Sequence, residues 1–278
     1  MKKILSLTLA LIMIMSTLFC FASCGGDDTT TTPDAGKETL VCGVTIIPGL
    51  NEQDADGNWI GFESEFAMEV AKLLDMDVKF QVIDWSQKYN ELNSGAIDCV
   101  WNGFTANSSD KVNGVEVNRS ELVDFSYGYM LNQQCVVVKA ENVASITAEA
   151  DLNGKKACVE GGSAGEAYAT TVTSADNIFS TTAQINAFTE VKAGAVDFAV
   201  VDIILAKNVC GKGDYADLAI VDAIELESEI YAIGFKKGSD LTAKVNDAIK
   251  TLNENGKLLE IATKYGFENV LNVTETIE

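Results

Sequence analysis

Short apolar runs alternate with helical patterns along most of this chain, and that alternation limits the possible folds more than any other feature of the sequence. The runs "TLVCGVTI" (39–46) and "DVKFQVID" (77–84) have the length and composition of strands. Between them, residues 63–74 repeat apolar side chains at helical spacing. Strands separated by helices indicate a parallel α/β sheet. A second block of this kind, residues 155–266, predicts two lobes with a ligand cleft beyond the carboxyl ends of their strands.

The first residues have the pattern of an export signal. Two lysines precede an apolar run, and the "FASC" that follows it (21–24) resembles a bacterial lipobox, in which the cysteine is lipidated. We therefore expect residues 1–23 to be a signal peptide, Cys24 to carry the lipid and residues 24–38 to form a flexible tether. The mature protein is expected outside the cytoplasm, anchored to the cell membrane through its lipid.

The charge balance and the rare residue types exclude several functions. The chain has 20 basic and 41 acidic residues, whereas nucleic acids and anionic membrane surfaces require a basic patch. It has no histidine and no Cys-x-x-Cys pair, so we expect neither a transition-metal site nor a cofactor. An odd number of cysteines after the signal is a poor disulfide framework. They are interpreted as buried apolar side chains: Cys42, Cys99, Cys135, Cys158 and Cys210.

Several segments occur in the order seen in a known family. "IGFESEFAMEVAKLL", "VIDWSQKYNELNSGAIDCVWNGFT", "RSELVDFSYGY", "VEGGSAGEAY" and "VKAGAVDFAVVD" together resemble extracellular solute-binding proteins of family 3, the polar amino-acid receptors of ABC importers. The resemblance covers residues 39–270. It implies an α/β, two-lobed periplasmic-binding-protein-like fold of type II, with a cleft between lobes joined by two crossing strands. Lobe 1 would comprise residues 39–135 plus 232–278, and lobe 2 residues 136–231.

Arg119 is the only arginine of the chain, since the other nineteen basic residues are lysines. It stands shortly before "VDFS" (123–126), where the family has an arginine that binds the α-carboxylate of the ligand, so the resemblance implies that role for Arg119. A guanidinium is a planar fork that can bind a carboxylate through two parallel hydrogen bonds, which a lysine cannot do. The alternative is a surface arginine paired with Glu116 or Glu121.

Residues 106–118 depart from the family pattern. In the family the arginine follows the threonine of a "GFT"-like segment within a few residues, whereas Thr105 and Arg119 are fourteen positions apart. Counting forward from Thr105 instead reaches Asp110, which cannot bind a carboxylate. We expect a polar loop insertion around residues 113–114. The alternative is that the site has lost its carboxylate clamp.

Two further positions match ligand-binding positions of the family. Asp202 ends the apolar strand "DFAVVD", and the resemblance makes it the acceptor for the α-ammonium group of the ligand. Its alternative role is a helix N-cap for the residues that follow, which aspartate fills well. Trp85 follows the strand "FQVID", where the family places an aromatic ring that stacks on the aliphatic part of the ligand. Packing in the core is the alternative for Trp85.

Residues at two strand ends are expected to complete the bonds to the ligand carboxylate. Asn102, Gly103 and Thr105 follow the strand "CVWNGF", where backbone groups and the Thr105 hydroxyl can contribute hydrogen bonds. Gly162 and Ser163 open a predicted helix of lobe 2, whose free N–H groups and dipole favour an anion. Glycines at a strand–helix turn are common, so this second signal is weak by itself.

The resemblance implies the substrate-binding subunit of an ABC importer, a monomer that delivers a free amino acid to the permease subunits. Thr45 stands where receptors for basic amino acids tend to carry an acid, so its neutral side chain favours other ligands. The alternative is a dehydratase-like enzyme on the same fold, but the sequence shows no histidine, carboxylate pair or Ser/Lys dyad for acid–base catalysis. A signalling sensor would require a membrane helix after residue 270, and no such apolar run is present there.

Overall fold

The computed structural model describes residues 36–277, so the predicted signal peptide, Cys24 and most of the predicted tether lie outside the described residues. The strands are β1 (Thr39–Val44), β2 (Glu52–Gln53), β3 (Trp59–Ile60), β4 (Asp77–Val82), β5 (Cys99–Val100), β6 (Ser109–Val112), β7 (Val115–Asn118), β8 (Asp124–Phe125), β9 (Gly128–Lys139), β10 (Ala157–Glu160), β11 (Ile178–Thr181), β12 (Phe198–Asp202), β13 (Leu218–Ile220), β14 (Ser228–Tyr231), β15 (Gly234–Phe235) and β16 (Leu271–Thr274). The helices are α1 (Phe62–Leu73), α2 (Lys88–Ser94), α3 (Arg119–Leu122), α4 (Ala164–Val172), α5 (Gln184–Ala193), α6 (Ile203–Val209), α7 (Leu241–Glu254) and α8 (Lys257–Tyr265). Within this described part, none of the helices has both the length and the apolar character needed to cross a bilayer.

The first sheet has the strand order β4-β1-β5-β15-β8. Strand β1 runs parallel to β4 and β5, while β15 pairs antiparallel with β5 and β8. Helices α1, α7 and α8 pack on one another, and α7 buries Val245, Ala248, Ile249 and Leu252 on one face. Since β15, α7 and α8 come from the end of the chain, two separate segments form this unit, which we call lobe 1.

The second sheet has the strand order β11-β10-β12-β9-β13. Strand β10 is parallel to β11 and β12, and β12 is antiparallel to β9. Helices α4 and α5 contact β10 and β12, which are buried along their length. Both β10 and β12 therefore present their carboxyl ends at the same edge of the sheet. We call this unit lobe 2.

Two strands connect the lobes. The amino-terminal half of β9 pairs with β14 and β16, and its carboxyl-terminal half pairs with β12 and β13. The chain passes from lobe 1 to lobe 2 along β9 and returns along β14. This architecture confirms the predicted two-lobed fold with two crossing strands. The predicted lobe boundaries at 135/136 and 231/232 lie within β9 and at the end of β14, and they stay a prediction because these strands serve both lobes.

Residues 106–118, which were expected to form a polar loop insertion, contain a β-hairpin. Strands β6 and β7 pair from Ser109↔Asn118 to Val112↔Val115, and Asn113 and Gly114 form the turn between them. Both turn residues have positive φ, 53° and 81°, which an Asn-Gly pair adopts readily and which suits the twist of a two-residue hairpin. The hairpin therefore has a defined register, which fixes the position of Asp110.

The cysteines of the described chain are free thiols. Cys42, Cys99, Cys135 and Cys158 are buried, and Cys210 is half-buried. Because four of the five sit within the apolar interior, the interpretation of these cysteines as buried apolar side chains is confirmed for that group.

Candidate functional site

A narrow cavity lies between the two lobes where strand ends from both sheets meet. Its volume is about 10 Å³, which is the space that about one water molecule requires. Lobe 1 and lobe 2 both contribute, and Gln134 of β9 joins them. The lining residues are Trp85, Asn102, Gly103, Thr105, Arg119, Gln134, Glu160, Ser163, Ala164, Gln184 and Asp202.

Arg119 reaches this cavity from the first turn of α3 and is only 1% exposed. Its Nε and Nη2 donate to Asp110 Oδ1 at 3.0 and 2.8 Å, and its Nη1 donates to the Thr105 carbonyl at 3.0 Å. A longer hydrogen bond of 3.4 Å joins Nη2 to the carbonyl of Gly162 in lobe 2. The side chain is thus buried and held by lobe 1, and the surface role considered for it does not apply.

Lys88, Asp110 and Arg119 form a buried group that we call the cationic cluster. Lys88 Nζ lies 3.3 Å from Asp110 Oδ2 and donates to the Gly162 carbonyl at 2.9 Å. Burial and the neighbouring Arg119 charge lower the pKa of Lys88 to about 8, although Asp110 opposes this shift. Burial alone would raise the pKa of Asp110, but Arg119, Lys88 and the Tyr89 hydroxyl hold it below its ordinary value. The aspartate therefore stays ionised between the two cations.

Asp202 lies at the end of β12 and is 3% exposed. Its carboxylate accepts hydrogen bonds from the side-chain amides of Asn132 at 2.8 Å, Gln134 at 2.6 Å and Gln184 at 2.5 Å. Although Asp202 is the N-cap residue of α6, its side chain makes no capping hydrogen bond. Asp202 therefore occupies the N-cap position without the capping hydrogen bond, and its carboxylate is directed to the amides beside the cavity.

Glu160, Asp202 and Glu229 form a second buried group, which we call the acidic cluster. Glu229 of β14 accepts from Thr105, Asn132 and Gln134. Burial and the nearby Asp202 charge raise the pKa of Glu160 to about 8 and that of Glu229 to about 7. Burial also raises the pKa of Asp202, although its amide donors oppose the shift. An ionised Asp202 thus disfavours the ionisation of both Glu160 and Glu229.

The hydrogen bonds expected from lobe 1 to a ligand carboxylate are already made within the protein. The Gly103 N–H donates to Glu63 at 2.7 Å, and the Thr105 hydroxyl donates to Glu229 at 3.1 Å. Asn102 exchanges two hydrogen bonds of 2.7 Å with Thr45. Thr45 itself does not line the cavity. This differs from the sequence expectation, because two buried acids and the Thr45 hydroxyl accept the hydrogen bonds of these donors.

The start of α4 also differs from the expectation. The Gly162 N–H donates to the Glu166 carboxylate at 2.8 Å, and the Ser163 N–H donates to the Glu160 carbonyl at 3.2 Å. Ser163 Oγ accepts from the Glu166 N–H at 3.1 Å and so caps the helix. The N–H groups of Gly162 and Ser163 are therefore not free for an anion. It is the Gly162 carbonyl that faces lobe 1.

Trp85 packs in the core and also lies on the cavity wall, while its stacking on a ligand stays a prediction. It lines the cavity, and its ring packs edge-on against Phe104 with 5.2 Å between centroids. Only 3% of the residue is exposed.

Of the nine residues predicted to contact ligand, seven line one cavity: Trp85, Asn102, Gly103, Thr105, Arg119, Ser163 and Asp202. Gly162 lies beside the cationic cluster, and Thr45 lies behind Asn102.

Several residues of the site were missed by the sequence analysis. Gln134 and Asn132 had a usable signal, because two amides stand two positions apart in the apolar strand β9 and so share one face. Glu160 gave a similar signal as an acid at the end of the buried strand β10. Lys88 had none, since a lysine on a short amphipathic helix is ordinarily solvent-exposed.

Known proteins resemble this chain over nearly its whole length. The arginine-binding extracellular protein ArtP of Bacillus subtilis is 27% identical over 272 residues, covering 95% of this chain and 98% of ArtP. A solved ancestral arginine-binding protein bound to arginine has a TM-score of 0.73 and 31% identity, covering 82% of this chain and 98% of that one. A Streptococcus pneumoniae ABC uptake transporter substrate binding protein with bound histidine has a TM-score of 0.72 and 27% identity, covering 84% and 94%.

The family model of the bacterial extracellular solute-binding proteins, family 3, matches residues 40–269. That range includes lobe 2, most of lobe 1, both crossing strands and every residue of the cationic and acidic clusters. With this extent of match and the two-lobed fold, the chain belongs to the bacterial extracellular solute-binding proteins, family 3.

Proposed function

We propose that this chain is the substrate-binding subunit of an ABC importer, which captures a free polar amino acid outside the membrane and delivers it to the permease. The observation that carries the proposal is the pair of opposite charges in one inter-lobe cavity, Arg119 from lobe 1 and Asp202 from lobe 2. A free α-amino acid is a zwitterion with a carboxylate and an ammonium group, which such a pair complements. The arginine- and histidine-binding relatives support the same ligand class.

The ligand carboxylate binds Arg119 in this proposal. The weakest bond of the guanidinium is the 3.4 Å contact to the Gly162 carbonyl of lobe 2, which is lost when the lobes separate. The freed N–H then points into the cavity, and the first turn of α4 lies across from it with Ala164 on the cavity wall. A carboxylate between them gains a charge-assisted hydrogen bond from lobe 1 and the dipole of α4 from lobe 2.

The ammonium group binds Asp202. The three amides around this carboxylate fix its orientation, since each donates through its side chain. An ammonium group adds a charge-assisted hydrogen bond and compensates the buried negative charge. It also lowers the pKa of Asp202, which burial raises in the free protein. The two ends of the ligand therefore contact different lobes.

Binding requires the lobes to move apart and close again. A cavity of about 10 Å³ is too small for an amino acid, so entry needs rotation about β9 and β14. A ligand that contacts both lobes favours the closed arrangement over the open one, because the open one offers only half of its contacts. The closed form is then presented to the permease, and a lipid on Cys24 with the tether to residue 38 keeps the monomeric protein at the membrane.

The experiment is isothermal titration calorimetry of the purified mature protein with the twenty amino acids. The same titrations are then repeated on two site variants and one control variant. We expect one or more amino acids to bind and Asp202→Asn to weaken binding by about 2–5 kcal/mol, as for a buried charge pair broken on one side. Arg119→Lys keeps the positive charge but loses the planar fork, so it should weaken binding by about 1.5–3 kcal/mol, the contribution of a hydrogen bond to a charged group. Asp176→Asn removes an exposed acid of lobe 2 and should leave the affinity unchanged. Unchanged affinity in both site variants, or no binding of any free amino acid, would contradict the proposed function.

A further inference from the structure

Glu160 has a carboxylate oxygen without a hydrogen-bond partner at the wall of the inter-lobe cavity. The residue is the last of β10 and is 1% exposed, and its Oε1 accepts no hydrogen bond. It is one of the lining residues, together with Asp202 at the end of the neighbouring parallel strand β12. A buried acceptor without a partner costs free energy, so native proteins usually satisfy such a group with a ligand, an ion or water.

The two cations near Glu160, Lys88 and Arg119, already have other partners. Lys88 is the cation whose charge acts on Glu160, but its Nζ donates to the Gly162 carbonyl and pairs with Asp110. Arg119 is paired with Asp110 as well. In the two clusters together, two cations face four carboxyl groups. The carboxyl groups in excess of the cations belong to the acidic cluster, and the oxygen without a partner there is Oε1 of Glu160.

We propose that Glu160 binds the positively charged side chain of the ligand, so that the ligands of this protein are basic amino acids such as arginine, lysine or ornithine. This inference rests on the proposed function, because it assigns the side-chain end of the same ligand. Arg119 and Asp202 bind the carboxylate and the α-ammonium group, which leaves Glu160 as the remaining charged group of the cavity wall. A side-chain ammonium or guanidinium supplies the donor that Oε1 lacks.

Other side chains fit this position less well. A neutral apolar side chain leaves Oε1 buried without a donor, and an acidic one places a further carboxylate beside Glu160 and Asp202. Burial and the Asp202 charge raise the pKa of Glu160 to about 8, although the Lys88 charge and the Gln184 amide oppose this shift. A cation at this position would return the carboxyl to its ionised form. The neutral Thr45 was expected to disfavour basic ligands. It is hydrogen-bonded to Asn102 and does not line the cavity, so in this inference Glu160 supplies the acid for a basic ligand from lobe 2.

The test compares matched charged and neutral ligands by titration calorimetry at constant pH and salt. Citrulline replaces the guanidinium of arginine by a neutral urea group of similar shape, and norleucine replaces the ammonium of lysine by a methyl group. For the unmodified sequence we expect arginine or lysine to bind at least tenfold more tightly than its neutral counterpart. In Glu160→Gln that ratio should fall to about threefold or less, with binding of the neutral ligands retained or improved. The control Glu141→Gln, an exposed acid of lobe 2, should keep the full ratio.

The outcomes separate the two proposals. Citrulline or norleucine binding as tightly as its charged counterpart, or a ratio unchanged in Glu160→Gln, would overturn the role of Glu160 while leaving amino-acid capture intact. Failure of every free amino acid to bind would overturn the proposed function itself. If Glu160→Gln does not fold, the ratios measured on the unmodified sequence decide: tenfold or more supports the inference, and equal affinity overturns it.

Discussion

The cationic cluster and the acidic cluster meet at one cleft, but they are stabilised in different ways. In the cationic cluster, Asp110 supplies a full negative charge to Lys88 and Arg119 at distances of 3.3 and 2.8 Å. In the acidic cluster, neutral amides surround Asp202 and Glu229, and Glu160 Oε1 has no partner. One end of the cleft therefore contains its own counter-ion, while the other lacks one. A cationic group of the ligand supplies the counter-ion that the acidic cluster lacks. A ligand carboxylate, in contrast, must share the Arg119 guanidinium with Asp110.

The difference also appears in the protonation of the two clusters. The pKa of Asp110 lies below its ordinary value, so the cationic cluster keeps its ion pair at neutral pH. Burial and the Asp202 charge raise the pKa values of Glu160 and Glu229 to about 8 and 7, so these carboxyl groups are partly protonated there. Without a ligand, the acidic cluster thus reduces its charge by holding protons. A bound cation would neutralise the negative charge of these carboxylates by direct contact instead.

The largest expected effect on stability comes from removing the guanidinium. Arg119→Ala leaves Asp110 buried with one of its two cations missing, and breaking a buried pair on one side costs about 3–5 kcal/mol. In contrast, Glu160→Gln replaces a buried carboxyl group that forms no ion pair and is partly protonated at neutral pH, so the free energy of unfolding should stay equal or rise. Urea denaturation of the ligand-free proteins measures both. Equal destabilisation by the two substitutions would show that the clusters do not differ as described.

The second-largest expected effect is a pH dependence of the free energy of unfolding, caused by the raised pKa values of the buried carboxyl groups. The pKa values of Glu160 and Glu229, about 8 and 7, lie above the ordinary value of 4.5, and Glu63 beside Tyr129 is raised by burial to about 7. Between pH 5 and 7 the folded state binds protons that the unfolded state has released, so the free energy of unfolding falls as pH rises. A single group shifted from 4.5 to about 7 contributes about 3 kcal/mol to this fall. Lys88, with its pKa lowered to about 8, acts only above that pH and in the opposite direction.

Urea denaturation of the ligand-free protein at pH 5, 6, 7 and 8 measures this slope. Glu160→Gln should reduce it, because that variant has one fewer raised carboxyl group. Saturating ligand should reduce it as well, since a bound cation favours the ionised carboxylates. Stability that rises from pH 5 to 7 would contradict the assignment of raised pKa values to the acidic cluster.

The fold could be predicted from local patterns and the family resemblance together. Alternating strands and helices indicated an α/β class, and β10 and β12 could be recognised as short apolar runs ending in an acid. The path of the chain through β9 and back along β14 came from the resemblance, because pairing between distant strands leaves little trace in local periodicity. The placement of Arg119 and Asp202 beside one cavity came from the same source.

The hydrogen-bond partners within the site could not be predicted from the sequence. Gly103 and Thr105 were expected to serve a ligand, but Glu63 and Glu229 accept their hydrogen bonds from positions 40 and 124 residues away. Such pairings depend on how side chains fill a closed interior, and spacing along the chain does not encode them. The hairpin was more accessible: "DKVNGVEV" contains an Asn-Gly turn between alternating valines, which is a hairpin signal.

Asp110 offers the finest test of the difference between the clusters. If its carboxylate competes with the ligand carboxylate for Arg119, Asp110→Asn should strengthen amino-acid binding by about tenfold, or ~1.4 kcal/mol. The amide oxygen keeps a hydrogen bond to Nε, while the guanidinium charge becomes available to the ligand. Calorimetry with the amino acid that binds the unmodified protein measures the change.

The control for Asp110→Asn is Glu116→Gln, which removes an exposed acid from the facing strand of the same hairpin. It alters the net charge equally but does not touch Arg119, so its affinity should stay within about twofold of the unmodified protein, as for a solvent-screened charge. Weaker binding in Asp110→Asn would mean that the aspartate orients the guanidinium for the ligand instead of competing with it. In that case both clusters would be prepared for the ligand, the first by an ion pair and the second by amides, and a carboxylate would bind without displacing any contact of Asp110.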